Sequence, residues 1–199
     1  MTTRVVIVGS GGANIASLFA ALSRIGVEAT LSTDAATITN ATHVILPGVG
    51  AAAAAMQTLK KLELSDVLLR LTQPVLGICL GMQLLALQSD EDDARCLGIT
   101  EDRVQKIPGT TTRPVPHMGW NTVQHDGTHP LTRGITQESF FYFVHSYAIS
   151  PGDSMIGQCH YGIDFAAIVA KDNYMGTQFH PERSATAGSL LLQNFIAIT

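Results

Sequence analysis

The run RVVIVG at residues 4–9 constrains the fold most. It is an uninterrupted β-branched stretch closed by glycine, as suits a strand buried on both faces. Such a strand needs helices above and below it, and the sequence that follows alternates accordingly. Residues 14–25 carry Ile15, Leu18, Phe19 and Leu22 at helical spacing. Residues 27–31 and 43–46 read as further short strands, and 51–62 as an alanine-rich helix. Residues 75–79 form another strand behind Pro74, and 80–87 favour a helix. Strands alternating with helices predict βαβ units and a mostly parallel central sheet with flanking helices, an α/β fold.

The second half changes character. Between residues 107 and 172, Pro108-Gly109, Asp126-Gly127 and Pro151-Gly152 separate short alternating stretches, including 140–149 and 165–170. These predict antiparallel strands added to the sheet or lying beside it. Residues 184–196 read as a closing helix with Leu191, Leu192, Phe195 and Ile196 as its apolar face. No internal repeat or low-complexity linker divides the chain, so one domain over residues 1–199 is expected.

At 199 residues and 46% apolar content the chain can bury a full core. A formal net charge of −4 without a Lys/Arg cluster argues against nucleic-acid binding, which needs a basic stripe against phosphates. Cys79, Cys96 and Cys159 form neither a CxxC pair nor a disulfide framework, which suits a reducing, cytoplasmic compartment. The first ten residues lack the features of a signal peptide, and no apolar run reaches the ~18–20 residues that span a bilayer.

Gly77-Ile78-Cys79-Leu80-Gly81 falls where strand gives way to helix, in the pattern of a nucleophile elbow with cysteine as nucleophile. The nucleophile of an elbow occupies a strained turn, and side chains on the flanking glycines would collide with the strand and helix. The helix start also offers unpaired N–H groups and a dipole that favour thiolate. Alone, GxCxG also fits an inert core cysteine. In Gln178-Phe179-His180-Pro181-Glu182, an extended backbone would project His180 and Glu182 to one side. Glu182 could then orient the imidazole while its other nitrogen serves Cys79, the logic of nucleophile, base and orienter. Attack on an amide creates an oxyanion that needs two donors. Pro47-Gly48-Val49-Gly50 follows a strand and faces the same crevice. The N–H of Leu80 and the loop around Val49 and Gly50 are the expected donors. His43, His125, His129 and His160 read as structural or surface residues, and no spacing supports a metal site.

In content, order and spacing, PGVG, GICLGMQLL and QFHPE together resemble the class I (triad) glutamine amidotransferases. That resemblance implies a flavodoxin-like sheet and hydrolysis of the glutamine side-chain amide through a γ-glutamyl thioester, with no metal or organic cofactor. Pro116-His117-Met118-Gly119-Trp120-Asn121 and Tyr142-Phe143-Val144-His145-Ser146-Tyr147 look like the glutaminase subunits of imidazole glycerol phosphate synthases, which serve histidine biosynthesis. By that resemblance Gln83 and Glu91 hold the α-amino end of glutamine, and Gly50, His145, Ser146 and Tyr147 line its pocket. Cys79 and Gln83, four residues apart on one helix, would share a face. The resemblance further implies a heterodimer with a (β/α)8-barrel cyclase that receives the ammonia. Asn14, Met118, Trp120, Asn121 and Arg183 would face this partner. Trp120 is the only tryptophan, and its large flat ring suits an interface anchor. The PGVG peptide would need reorienting before its N–H serves the oxyanion, so the isolated chain is expected to be nearly inactive.

One segment departs from the family pattern. The first glycine loop usually reads D-Y-G-x-G-N; here it is Gly9-Ser10-Gly11-Gly12-Ala13-Asn14, which retains Asn14 without the Asp and Tyr. A glutaminase for another synthase, such as one making pyridoxal phosphate, is an alternative. A catalytically silent regulatory subunit and a cysteine peptidase of similar architecture are the others.

Overall fold

The structure, a computed structural model, describes residues 3–10 and 15–199. Strands β1 (Val5–Val8), β2 (Ala29–Ser32), β3 (His43–Gly48) and β4 (Val75–Cys79) run parallel. β1, β3 and β4 are buried along their whole length, whereas β2 forms the sheet edge and leaves Leu31 half exposed. Alternation along β1 feeds two cores. Val5 and Ile7 pack with Leu18, Ala21 and Leu22 of α1 (Ile15–Arg24). Val6 and Val8 share the other core with Ile38 of α2 (Ala35–Thr39), Met56 and Leu59 of α3 (Ala52–Lys61), and Leu68 of α4 (Ser65–Leu69). A strand with an apolar contact on each face is thereby covered twice.

The helix expected over 80–87 is shorter than the sequence predicts. Regular α-structure ends after one turn, α5 (Leu80–Gln83). Leu85 N–H then bonds to Met82 O at 3.0 Å and Ala86 N–H to Gln83 O at 3.1 Å, the tighter 3₁₀ spacing. Leu84, Leu85 and Ala86 are all buried, so no face of a continuing helix would meet solvent. Leu87 N–H bonds to Asp102 O instead, pulling the chain back toward the sheet at β5 (Gln88–Ser89).

The remaining strands are β6 (Ala94–Arg95), β7 (Arg103–Lys106), β8 (His117–Thr122), β9 (Gln124–His125), β10 (Phe140–His145), β11 (Tyr147–Ile149), β12 (Met155–His160), β13 (Asp164–Lys171) and β14 (Tyr174–Thr177). β14 lies parallel to β4, and β13 runs antiparallel to β14. The main sheet has the order β2-β1-β3-β4-β14-β13-β11-β7-β5-β6, with β12 and β9 attached alongside β13. Five parallel strands therefore form one side, and the antiparallel strands expected from the second half extend it. The stretch 140–149 does not stay in one sheet. Phe141, Phe143 and His145 alternate inward along β10, but beyond Ser146 the buried residues are Ala148 and Ile149, so the alternation is broken. β10 pairs with β8 in a separate two-stranded sheet, while β11 joins the main one. The chain closes with α6 (Ala185–Ala197), whose Leu191, Leu192 and Phe195 are buried. Among the described residues no helix is long and apolar enough to cross a membrane.

Candidate active site

Cys79 ends β4 with φ 54° and ψ −112°, a backbone conformation that side chains rarely adopt. Holding it costs about 1–3 kcal/mol, and the surrounding packing must enforce it. A Cβ on Gly81 would stand 1.7 Å from Leu46 O in β3, and one on Gly77 would stand 2.6 Å from Gly81 O. The steric need for both elbow glycines is met as the sequence predicts. The helix behind the sulfur is only one turn long, which changes the electrostatic expectation. What it offers is the few unpaired N–H groups of a helix start rather than an extended dipole.

His180 Nδ1 lies 2.8 Å from Glu182 Oε1, and the two side chains are only 8% and 5% exposed. They do not meet through an extended backbone. Pro181–Arg183 forms a 3₁₀ turn, with Pro181 at its first position and Ser184 closing it. Ser184 Oγ donates to His180 O at 2.6 Å and accepts from Tyr142 N–H, tying the turn to β10. Burial alone would lower the His180 pKa, but the Cys79 sulfur and the Glu182 carboxylate outweigh it and raise it to about 10. His180 Nε2 is buried without a completed hydrogen bond and lines the same cleft as Cys79. An imidazolium at His180 is the charge state that this arrangement favours.

The cleft has a volume of about 300 Å³, suited to a ligand of amino-acid size. Cys79, Leu80 and His180 line it together with Val49 and Gly50 of the PGVG loop. Gly50 has φ +91°, and a Cβ there would meet nothing within 4 Å, so backbone conformation rather than crowding calls for glycine. Gln83, Glu91, His145, Ser146 and Tyr147 complete the lining. Glu91 Oε2 also accepts from Ala52 N–H at 3.0 Å, at the start of the helix into which the PGVG loop leads. Gln83 Nε2 donates to Tyr147 O at 2.8 Å and to Gln178 Oε1 at 2.9 Å, spending both amide hydrogens and leaving its carbonyl oxygen free of them.

His145 is held by a defined tautomer. Its Nδ1 lies 2.8 Å from Tyr147 O, a carbonyl that can only accept, so Nδ1 donates. Nε2 then accepts from His117 Nδ1 at 3.0 Å. Burial lowers the His145 pKa to about 3 and that of His117 to about 4, so both stay neutral at pH 7. His117 is stacked between Phe143 and Tyr161.

The residues expected to face a partner lie mainly on the small sheet. Met118 is 67% exposed and Trp120 52%, with Phe140 beside them on the paired strand. Asn121 is spent locally, its amide donating to His160 O. Arg183 lies 4.3 Å from the Tyr142 ring, and Trp120 meets that ring edge-on. Asn14, with the rest of 11–14, lies outside the described residues. His43 bonds to Ile198 O far along the chain, while His129 accepts from Leu131 N–H and His160 pairs with Asp164, each a structural contact.

Three residues at the site were given no role by sequence reasoning. Gln178, His117 and Ser184 are buried polar residues with side chains committed to the site or to its supporting loop. The first two stand inside quoted motifs, but a motif does not say which way a buried amide or imidazole points. The two remaining thiols are unlike Cys79 in setting. Burial pushes Cys96 up to about 11 and Cys159 up to about 12, and neither lines the cleft.

The raised His180 pKa has a kinetic signature. Imidazolium is present below that pKa and lost as pH rises through it, so kcat/KM should fall on the alkaline side near pH 10. In Glu182→Gln the contribution of the carboxylate is gone while burial still acts. The alkaline limb should move to lower pH, and kcat should fall by about a hundredfold. A pH–rate profile superimposable on that of the unaltered chain would show that Glu182 does not govern the imidazole.

Comparison with known proteins places the chain among relatives of known family. The family model "Glutamine amidotransferase class-I" matches residues 6–198. The chain is 46% identical to the imidazole glycerol phosphate synthase subunit HisH of Vibrio cholerae, with all of both chains covered. It is 48% identical to the subunit of that name from Photorhabdus laumondii, covering 97% of this chain and 98% of the relative. A crystal structure of a glutamine amidotransferase superposes with a TM-score of 0.75 at 17% identity, covering 97% of each chain, which is a likeness of fold.

Proposed function

The chain belongs to the class-I glutamine amidotransferases, and on that footing we propose that it is the glutaminase subunit of an imidazole glycerol phosphate synthase. One observation carries the reading: His180, joined to the buried Glu182 carboxylate at 2.8 Å, shares a single cleft with Cys79 and Gln83. Cys79 thiolate attacks the side-chain carbonyl carbon of glutamine, and the negative oxygen is held by the Leu80 N–H and the loop around Val49 and Gly50. His180 gives its proton to the departing amine, and ammonia leaves a γ-glutamyl thioester on Cys79. His180, now neutral, takes a proton from water as the water attacks the thioester, and glutamate leaves while the sulfur regains its charge. Glu182 keeps the imidazole oriented through both steps. Gln83 and Glu91 hold the α-amino end of the substrate, with Gly50, His145, Ser146 and Tyr147 around it.

The ammonia goes to a cyclase subunit, a (β/α)8 barrel, that docks as the other half of a heterodimer. There it is joined to a ribulosyl nucleotide intermediate, giving imidazole glycerol phosphate and an aminoimidazole carboxamide ribotide for histidine biosynthesis. The exposed Met118 and Trp120, with Phe140 beside them, support the docking face, since apolar groups of that size are depleted from surfaces that meet only water. Arg183 adjoins this face and the catalytic Glu182 in sequence. The whole chain acts as one glutaminase domain.

The test is to mix the chain with the cyclase subunit of a related synthase and, separately, with a pyridoxal phosphate synthase. Glutamine hydrolysis should be nearly absent for the chain alone and rise with the cyclase and its ligand by about a hundredfold. Equal turnover with and without the cyclase, or activation by the other synthase alone, would overturn the assignment.

A further inference from the structure

Gln178 follows β14 by one residue. β14 and β4 are parallel with Thr177 beside Ile78, so one more step along each strand sets Gln178 next to Cys79. The backbone N–H of Gln178 bonds to Ala167 O at 2.9 Å, and its side chain is completely buried. A buried primary amide must have both ends satisfied, and here its direction is decided by its neighbours. Tyr147 O can only accept, so the nitrogen of the Gln83 amide faces it, at 2.8 Å. The same nitrogen stands 2.9 Å from the Gln178 side chain, which must therefore present its carbonyl oxygen. The Gln178 amide nitrogen is thereby turned toward Cys79 Sγ, at 3.8 Å, within reach of the larger sulfur atom.

We propose that Gln178 is a further catalytic residue, whose amide N–H donates to the Cys79 thiolate and holds the sulfur at the mouth of the glutamine pocket. The inference rests on the glutaminase reading and deepens it. Val144 O, 3.9 Å from the sulfur, can accept from a thiol but gives nothing to a thiolate. His180 gives up its proton during the reaction, whereas an amide N–H is a donor throughout. It is also fixed in advance by Tyr147 and Gln83, so no reorganisation accompanies the gain of charge. The same chain of bonds leaves the Gln83 carbonyl oxygen for the substrate.

Two substitutions of similar size separate this role from mere support of Gln83. Gln178→Met removes both polar ends. Gln178→Glu, assayed at mildly alkaline pH, keeps an acceptor for Gln83 but replaces the donor to the sulfur with a repelling carboxylate, so it should slow the reaction more than Gln178→Met does. In the full chain, both should slow alkylation of Cys79 by iodoacetamide by about ten- to a hundredfold, the worth of one hydrogen bond to an ionised group. With the cyclase bound, Gln178→Glu should lower kcat to a similar extent while KM stays within about threefold. If Gln178→Met does not fold, Gln178→Glu, which meets the demand of Gln83, carries the test. Unaltered alkylation and kcat in Gln178→Glu would overturn the proposal and leave Gln178 as a prop for Gln83. Absence of glutamine turnover by the unaltered complex would instead overturn the glutaminase reading, and this inference with it.

Discussion

Replacing Cys79 by alanine is expected to lower glutamine-dependent synthesis by the complex by roughly 10⁴-fold or more, while synthesis from added ammonium salt persists. The two halves of that result test different things. Alanine removes the only sulfur that lines the cleft, so no thioester can form and the donors and base around it have nothing to activate. It removes a single atom from a site that is already tightly enclosed, and it occupies the same φ of 54° no worse than cysteine does. Docking and ammonia use should therefore survive. Retention of glutamine-dependent synthesis would remove Cys79 from the mechanism. Loss of the ammonia-dependent reaction as well would mean that Cys79 serves folding or docking.

The second large effect concerns stability. Gly81→Ala would place a methyl 1.7 Å from Leu46 O and 2.8 Å from Leu46 C, atoms of the backbone of β3. A flexible side chain could swing away from such a clash, but β3 is hydrogen-bonded to β1 on one side and β4 on the other. Relief must come from moving the elbow itself. A loss of about 3 kcal/mol or more is expected, a large share of the ~5–15 kcal/mol that a domain of this kind possesses. Denaturant unfolding reads it directly. A midpoint unchanged from that of the unaltered chain would mean that the elbow can open without cost.

How much of this was legible in the sequence depended on whether local or distant contacts decide each element. β1 and β4 are buried on both faces, and a strand in that position is written as an unbroken apolar run. Strand β4 matches the expected 75–79 residue for residue. The end of α5 was not legible, because it is set by burial of Leu84 to Ala86 and by the pull of Asp102 on Leu87. The crossing at Ser146 depends in the same way on which sheet each half of 140–149 joins. At the site, the motifs identified the residues that the cleft assembles, but not how they meet. The sequence predicts a His180–Glu182 pair on extended chain, whereas a turn started by Pro181 and closed by Ser184 joins them. Gln178 stands 99 residues from Cys79, and its direction depends on Tyr147 and Gln83 from two other segments. No local pattern encodes the polarity of such a chain of amides.

The unequal settings of the three thiols have a consequence for the life of the protein under oxidative stress. Cys96 and Cys159 are kept in the protonated form by their surroundings, far from the thiolate that peroxides attack. Cys79 alone opens on a cleft. Among the three thiols, oxidation is therefore directed to Cys79, the nucleophile of the proposed mechanism, and away from the two held in the cores. Inactivation and structural injury are decoupled. A chain oxidised at Cys79 alone would keep its shape and, with the docking face proposed above, would compete with intact chains for the same synthase.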